Sequence, residues 1–145
     1  MTQPIKLISP AHGAIYAERM PLSQTEAAAA VARARKAQKA WAARPLAERI
    51  ALVKAGVDQL LTRKDALVEE LAHQMGRPTR YGGEFGGVVD RTNYMADIAA
   101  EELAPKMVED SDTFRRYLAR EPVGVVFIVA PWNYPYLTTI NTLAP

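Results

Sequence analysis

Apolar residues recur at three- and four-residue spacing in three stretches of the first half of the chain, which predicts three amphipathic helices. The first begins at Ser23-Gln-Thr-Glu26, where a serine and a glutamate three residues later form a capping-box pattern. Pro45 suits the first turn of the second, and the third runs from roughly Asp65 to Met75 and ends before Gly76. Ahead of the helices, two short apolar segments around Gly13 predict a β-hairpin.

A fourth helical stripe passes through a cluster of four glycines between Gly82 and Gly87. Glycines let backbone amides approach a phosphate, but no strand leads into this segment and no Lys-Ser/Thr follows it. Packing is therefore the better explanation. Each glycine inside a helix costs about 1 kcal/mol relative to alanine, so we expect either a close approach by another backbone element or a frayed first turn. His73 has no partner at metal-ligand spacing and is interpreted as a surface or capping residue.

After Asp112 the pattern changes to one typical of β structure. Residues 113–120 alternate loosely, which suits an edge strand with one exposed side. Residues 123–130 form a nearly continuous apolar run rich in β-branched side chains, typical of a parallel strand covered on both faces. Pro131 ends this run, and residues 136–143 can begin a helix. Because one strand cannot make a parallel sheet, it pairs in trans or the chain is the front part of a longer polypeptide. We favour the longer polypeptide.

Composition narrows the classes of function. The 145 residues suffice for one modest domain, and 18 basic against 16 acidic residues give a net charge of +2. That charge is too small to make nucleic acid or an anionic membrane the default partner. The absence of cysteine excludes a disulfide, a thiolate metal site and a thiol nucleophile within these residues. With no signal-like N-terminus and no long apolar stretch, we expect a soluble, cytoplasmic protein.

The most informative segment is Glu121-Pro-Val-Gly-Val-Val126, followed by Pro131-Trp-Asn-Tyr-Pro135. A buried strand that ends in a rigid loop with an amide side chain lies where α/β sheets bind ligands. These residues resemble the NAD(P)-dependent aldehyde dehydrogenase superfamily. Arg44-Pro-Leu-Ala-Glu-Arg49 and Leu71-Ala-His-Gln-Met-Gly-Arg-Pro78 agree with the family in order. The resemblance covers essentially the whole chain but only the N-terminal third or less of a family member.

The resemblance also implies roles for particular residues. Asn133 matches the asparagine whose side-chain amide, together with a backbone amide at the nucleophile, forms the oxyanion hole. Tyr134 stands where the family often has an aromatic residue near the substrate tunnel. Four residues match positions that line the cleft for NAD or NADP: Val129, Ala130, Pro131 and Trp132. Taken singly, Trp132 and Tyr134 could be core aromatics and Asn133 a turn residue, but the complete pentapeptide after the apolar run favours the family roles.

The fold implied is α/β, the N-terminal portion of a Rossmann-like cofactor-binding domain that is mostly helical within this chain and has an incomplete sheet. We expect residues 1–110 to supply the helical part with the N-terminal hairpin. Residues 111–121 would form the arm strand of an oligomerisation region. Residues 122–145 would contain the first doubly buried sheet strand and the start of the next helix.

For a full-length parent, the resemblance implies NAD(P)-dependent oxidation of a small-molecule aldehyde to a carboxylic acid. The parent would be a homo-oligomer, dimer or tetramer, with no metal, nucleic acid or membrane partner. The family's cysteine nucleophile and general-base glutamate would lie beyond Pro145, so we expect the chain alone to be inactive. Two alternatives remain open: a non-catalytic helical interaction module that completes its sheet in trans, and a reductive relative acting on acyl-phosphate or acyl-thioester substrates.

Overall fold

The structure is a computed structural model that describes residues 3–145, so the first two residues of the region 1–110 lie outside it. Its elements, in chain order, are β1 (Ile5–Ile8), β2 (Ile15–Arg19), α1 (Gln24–Ala42), α2 (Leu46–Leu61), α3 (Lys64–Met75), a 3₁₀ turn (Thr79–Tyr81), α4 (Phe85–Glu102), β3 (Lys106–Asp110), β4 (Arg115–Leu118) and α5 (Pro135–Leu143). None of the helices in this described range combines the length and apolar character needed to cross a bilayer.

The predicted N-terminal hairpin is confirmed. Strand β1 pairs antiparallel with β2, and Ile5 lies opposite Arg19. The turn between them contains Gly13 with φ of 72°, a conformation in which a side chain would be strained. The hairpin packs toward α3 through Tyr16, whose ring stacks on His73 with the centroids 4.8 Å apart.

The first three helices begin and end where the sequence signals lie. Helix α1 starts with the full capping box, in which the Ser23 hydroxyl accepts from the Glu26 amide and the Glu26 carboxylate accepts from the Ser23 amide. Helix α2 begins directly after Pro45, which occupies the N-cap position rather than the first turn. Helix α3 ends at Gly76, whose φ of 82° is the left-handed conformation typical of a helix C-terminus.

Helices α2, α4 and α5 pack around the principal apolar cluster, built on Val57, Val88 and Ile140. Helix α4 confirms the fourth helical stripe, and only its first turn contains glycines of the cluster, Gly86 and Gly87. A Cβ added to Gly87 would lie 3.0 Å from Cδ1 of Leu137 on α5. The expected close approach is therefore made by a side chain of α5 and not by a backbone element.

The second β-hairpin was predicted only in part. Strand β4 lies within the expected extended segment 113–120. Its partner β3 lies in the region expected to be helical, because Met107 and Val108 are adjacent and give no clear alternation. The two strands pair antiparallel, and the Glu109 carboxylate meets the Arg116 guanidinium across them at 3.1 Å.

The apolar run at residues 123–130 differs from the prediction of a doubly buried strand. It forms no assigned strand within residues 3–145. Val123 is 91% exposed and Phe127 is 89% exposed. The physical reason is the absence of a neighbour, since a strand exists only through its hydrogen-bonded ladder and is buried only by layers on its faces. The apolar pattern is that of a strand covered on both faces, and residues 3–145 do not provide that cover.

Candidate active site

The candidate site is the loop that joins the apolar run to α5. Trp132 and Asn133 form a turn, and Tyr134 occupies the N-cap position of α5. Trp132 is 73% exposed and Tyr134 is 49% exposed, so neither is a core aromatic within the described part of the chain. Asn133 does lie in a turn, but it has no positive φ, so left-handed geometry does not explain its presence.

The Asn133 carboxamide is exposed and forms no hydrogen bond within residues 3–145. Its own main-chain carbonyl, in contrast, accepts a hydrogen bond from Nη2 of Arg77, which lies 56 residues earlier in the chain. The backbone at this position is therefore held while the amide side chain is free to donate to a ligand. An amide donor held near a reacting oxygen can stabilise the negative charge that develops there.

Arg77 makes two further contacts, one with Glu84 and one with Tyr134 of the loop. Its Nη1 lies 3.6 Å from Oε1 of Glu84, and its guanidinium lies over the Tyr134 ring at 4.6 Å from the centroid. The Glu84 side chain is fully buried and that of Arg77 is 12% exposed. A buried carboxylate needs a partner of opposite charge, because isolated burial of an ion is strongly unfavourable. The two side chains thus form a buried ion pair beneath the loop, in which Oε1 of Glu84 makes no hydrogen bond within the described residues.

Glu84 also caps α5 from outside that helix. The first amides of a helix lack partners within it, and Tyr134 at the N-cap position makes no side-chain cap. The Leu137 amide, in the first turn of α5, donates to Oε2 of Glu84 at 2.6 Å. A carboxylate at this end is also favoured by the helix dipole. Glu84 therefore fixes where α5 begins, which sets the position of the loop immediately before it.

Tyr136 is the second residue of α5 and is partly buried. Burial raises the pKa of its phenol, and the negative charges of Glu70 and Glu84 raise it further, whereas Arg63 opposes them. Its ring packs against Phe85, with the centroids 5.2 Å apart. The phenol therefore stays neutral at physiological pH and serves packing between α4 and α5.

The residues predicted to line the cofactor cleft are consecutive with Asn133. Val129 is 77% exposed, Ala130 is partly buried, and Pro131 is exposed. With Trp132 they present an uncovered and largely apolar surface just before the Asn133 turn. Their contact with a cofactor stays a prediction, as do the role of Asn133 and the contact of Tyr134 with a substrate.

Sequence reasoning did not identify Arg77 and Glu84 as parts of the site. In the sequence, Arg77 stands out only as part of Gly-Arg-Pro, and Glu84 is the single acidic residue among the four glycines. That isolated charge in an apolar, glycine-rich segment was the available signal, because such a residue needs a partner once the segment packs. His73, by contrast, lies beside Tyr16 and His12, and no group of three or more potential ligands within residues 3–145 is placed to hold a metal ion.

Comparisons of the sequence and of the structure with known proteins indicate the same family. The sequence matches the aldehyde dehydrogenase family over residues 1–145. It is 28% identical to the succinate-semialdehyde dehydrogenase [NADP(+)] of Deinococcus radiodurans over 144 residues, which cover 99% of this chain and 30% of that protein.

Two solved structures resemble the fold closely. One is the NADP-dependent glyceraldehyde-3-phosphate dehydrogenase of Bacillus halodurans complexed with NADP, with a TM-score of 0.86, 31% identity, and coverage of 98% of this chain and 31% of the other. The other is the succinic semialdehyde dehydrogenase of Streptococcus pyogenes with NADP+, with a TM-score of 0.83, 27% identity, and coverage of 96% and 31%.

These matches confirm the expected fold class, the N-terminal portion of an α/β, NAD(P)-binding aldehyde dehydrogenase. The chain spans only about a quarter to a third of the length of the relatives it matches. On the match over its whole length, this chain belongs to the aldehyde dehydrogenase family.

Proposed function

We propose that the complete protein containing this chain oxidises an aldehyde to a carboxylic acid with NAD or NADP. Asn133 would donate a hydrogen bond from its carboxamide to the aldehyde oxygen as negative charge develops there. The observation that carries this proposal is the exposed Asn133 amide, free of hydrogen bonds within the described range, on a backbone that Arg77 holds. The Arg77 contact fixes the backbone from which this amide projects, and a donor held close to where negative charge develops accelerates the reaction.

The residues before the turn fit a nicotinamide cofactor. Val129 and Trp132 are large, exposed apolar side chains on one continuous segment, and Pro131 between them restricts the backbone. We propose that Val129, Ala130, Pro131 and Trp132 form one wall of the cofactor cleft and exclude water from it. NAD or NADP, when bound, supplies the acceptor for the hydride that the aldehyde loses.

For the substrate we propose that Tyr134, which is 49% exposed, faces the aldehyde with the part of its ring that Arg77 does not cover. The relatives named above are dehydrogenases of succinate semialdehyde and of glyceraldehyde 3-phosphate. Both substrates combine an aldehyde with an anionic group, so an anionic aldehyde is the substrate class that this comparison favours.

We further propose the three-part organisation of residues 1–110, 111–121 and 122–145. The arm at residues 111–121 contains β4, whose Tyr117 and Leu118 are 55% and 61% exposed. Because Tyr117 and Leu118 are consecutive on the strand, they point to opposite faces, so each face of this two-stranded sheet with open edges presents an exposed apolar surface. A second copy of the protein would cover this surface in a homo-oligomer.

The test is an assay of the complete protein with aldehyde and NAD+ or NADP+. We expect reduced cofactor and carboxylic acid to form in equal amounts, each dependent on the aldehyde. The 145-residue chain alone is the matched control and should form neither, because it contains no cysteine to attack the aldehyde. Absence of aldehyde-dependent turnover by the complete protein would refute the proposal, and turnover by the chain alone would refute the need for a nucleophile outside it.

A further inference from the structure

The loop that carries Asn133 is anchored by two residues from a distant part of the chain. Arg77 follows α3, and Glu84 directly precedes α4. The 3₁₀ turn Thr79–Tyr81 lies between them and brings the two side chains together. Their ion pair is buried, with the Glu84 side chain inaccessible to solvent. Both residues therefore face the interior beneath the loop and not the solvent above it.

Arg77 and Glu84 contact different parts of the chain near Asn133. Arg77 donates to the Asn133 carbonyl and lies over the ring of Tyr134. Glu84 accepts from the Leu137 amide and so fixes the first turn of α5, four residues after Asn133. None of these three contacts involves the Asn133 carboxamide. The pair constrains the backbone on which that amide is carried and leaves the amide free.

The glycine cluster lets α5 sit close enough for this arrangement. Gly87 has no side chain where Leu137 packs, since a Cβ there would lie 3.0 Å from Leu137 Cδ1. The same first turn of α4 follows Glu84 directly, so the cap on Leu137 and the packing of Leu137 come from one short segment. The position of α5, and hence of the loop, is therefore set by a hydrogen bond and by side-chain packing, both from the start of α4.

We propose that Arg77 and Glu84 are positioning residues for aldehyde oxidation, which act by holding the Asn133 backbone so that its carboxamide is aligned with the developing negative charge. This inference rests on the function proposed above. The guanidinium suits the role because its planar group can meet the Glu84 carboxylate and the Asn133 carbonyl at once. A lysine ammonium is a single point charge on a flexible stem and cannot reproduce that geometry.

The test is a double-mutant cycle in the complete protein, with Arg77→Lys, Asn133→Ala and both together. We expect Arg77→Lys to lower kcat by about tenfold, because small displacements of a catalytic group cost one to two orders of magnitude. The KM for NAD(P)+ should be unchanged. In the Asn133→Ala background, Arg77→Lys should lower kcat no further, because its effect passes through the Asn133 amide.

Arg80→Lys is the matched control. Arg80 lies three residues away, stacks on Tyr81 and donates to the Tyr81 hydroxyl, without contact to the loop. It should leave kcat unchanged. If Arg77→Lys fails to fold, Glu84→Gln carries the same cycle, since the glutamine can still accept from the Leu137 amide but no longer pairs with Arg77.

The outcomes separate the two proposals. An active protein in which the two substitutions lower kcat independently would overturn the positioning role and leave the proposed function intact. An unchanged kcat in Arg77→Lys, or a loss equal to that of Arg80→Lys, would do the same. A complete protein without aldehyde oxidation would overturn both.

Discussion

At the scale of single residues, polar side chains determine where helices begin, which the apolar pattern alone does not specify. Ser23 and Glu26 fix the start of α1 by exchanging hydrogen bonds at 2.7 to 3.2 Å. Glu84 performs the equivalent task for α5 from another part of the chain. The first is a local device that the sequence displays, whereas the second depends on the tertiary fold.

The local device predicts an effect on stability. Ser23→Ala should lower the free energy of unfolding by about 1 kcal/mol, the usual cost of losing an N-cap side chain. Denaturant unfolding measures this difference. A stability equal to that of the unaltered protein would contradict the role of the cap.

The same device predicts a dependence on pH. Hydrogen bonds from Ser23 hold the pKa of the Glu26 carboxyl below its ordinary 4.5. Because the pKa is lower in the folded state, the stabilisation is present above about pH 4.5 and is lost as the pH falls through the folded-state value. Glu26→Gln should therefore be less stable than the unaltered protein at neutral pH, and the gap should close in acid. A gap that widened in acid would contradict this sign.

At the scale of elements, the sequence predicted most of the fold because its signals are local. The hairpin at Gly13, the capping box, the stop at Gly76 and the helix after Pro135 each depend on a few neighbouring residues. Strand β3 escaped prediction because its structure comes from pairing with β4 and not from its own pattern. The Arg77–Glu84 anchor escaped for the same reason, since its partners lie up to 56 residues apart.

The packing of α5 on α4 can be tested with a matched pair of glycines. A Cβ at Gly86 would meet nothing within 4 Å, so Gly86→Ala should stabilise the protein by up to about 1 kcal/mol through helix propensity. Gly87→Ala has the same propensity gain but must displace Leu137. It should therefore stabilise less than Gly86→Ala, or destabilise. Thermal unfolding of both variants measures the difference, and equal effects would show that α5 does not press on α4 at this point.

At the scale of the whole molecule, the exposed apolar run and the exposed β3–β4 hairpin have the same explanation. Both carry side chains that the described residues do not cover, Phe127 on the run and Leu118 on the hairpin. The chain spans only about a quarter to a third of its relatives' length, and we propose that the rest of the complete protein and a second copy cover these surfaces. The candidate site fits the same explanation, since we propose that Asn133 donates to an aldehyde whose other contacts lie in the rest of the complete protein.

The most direct test of the central claim is the kcat of Asn133→Ala in the complete protein, compared with Asn141→Ala. Asn141 is an exposed asparagine on α5 and serves as the matched control. We predict that Asn133→Ala lowers kcat by about 10²- to 10³-fold, the usual cost of removing one oxyanion donor, while Asn141→Ala leaves it unchanged. Equal kcat values for the two variants would contradict the role of Asn133.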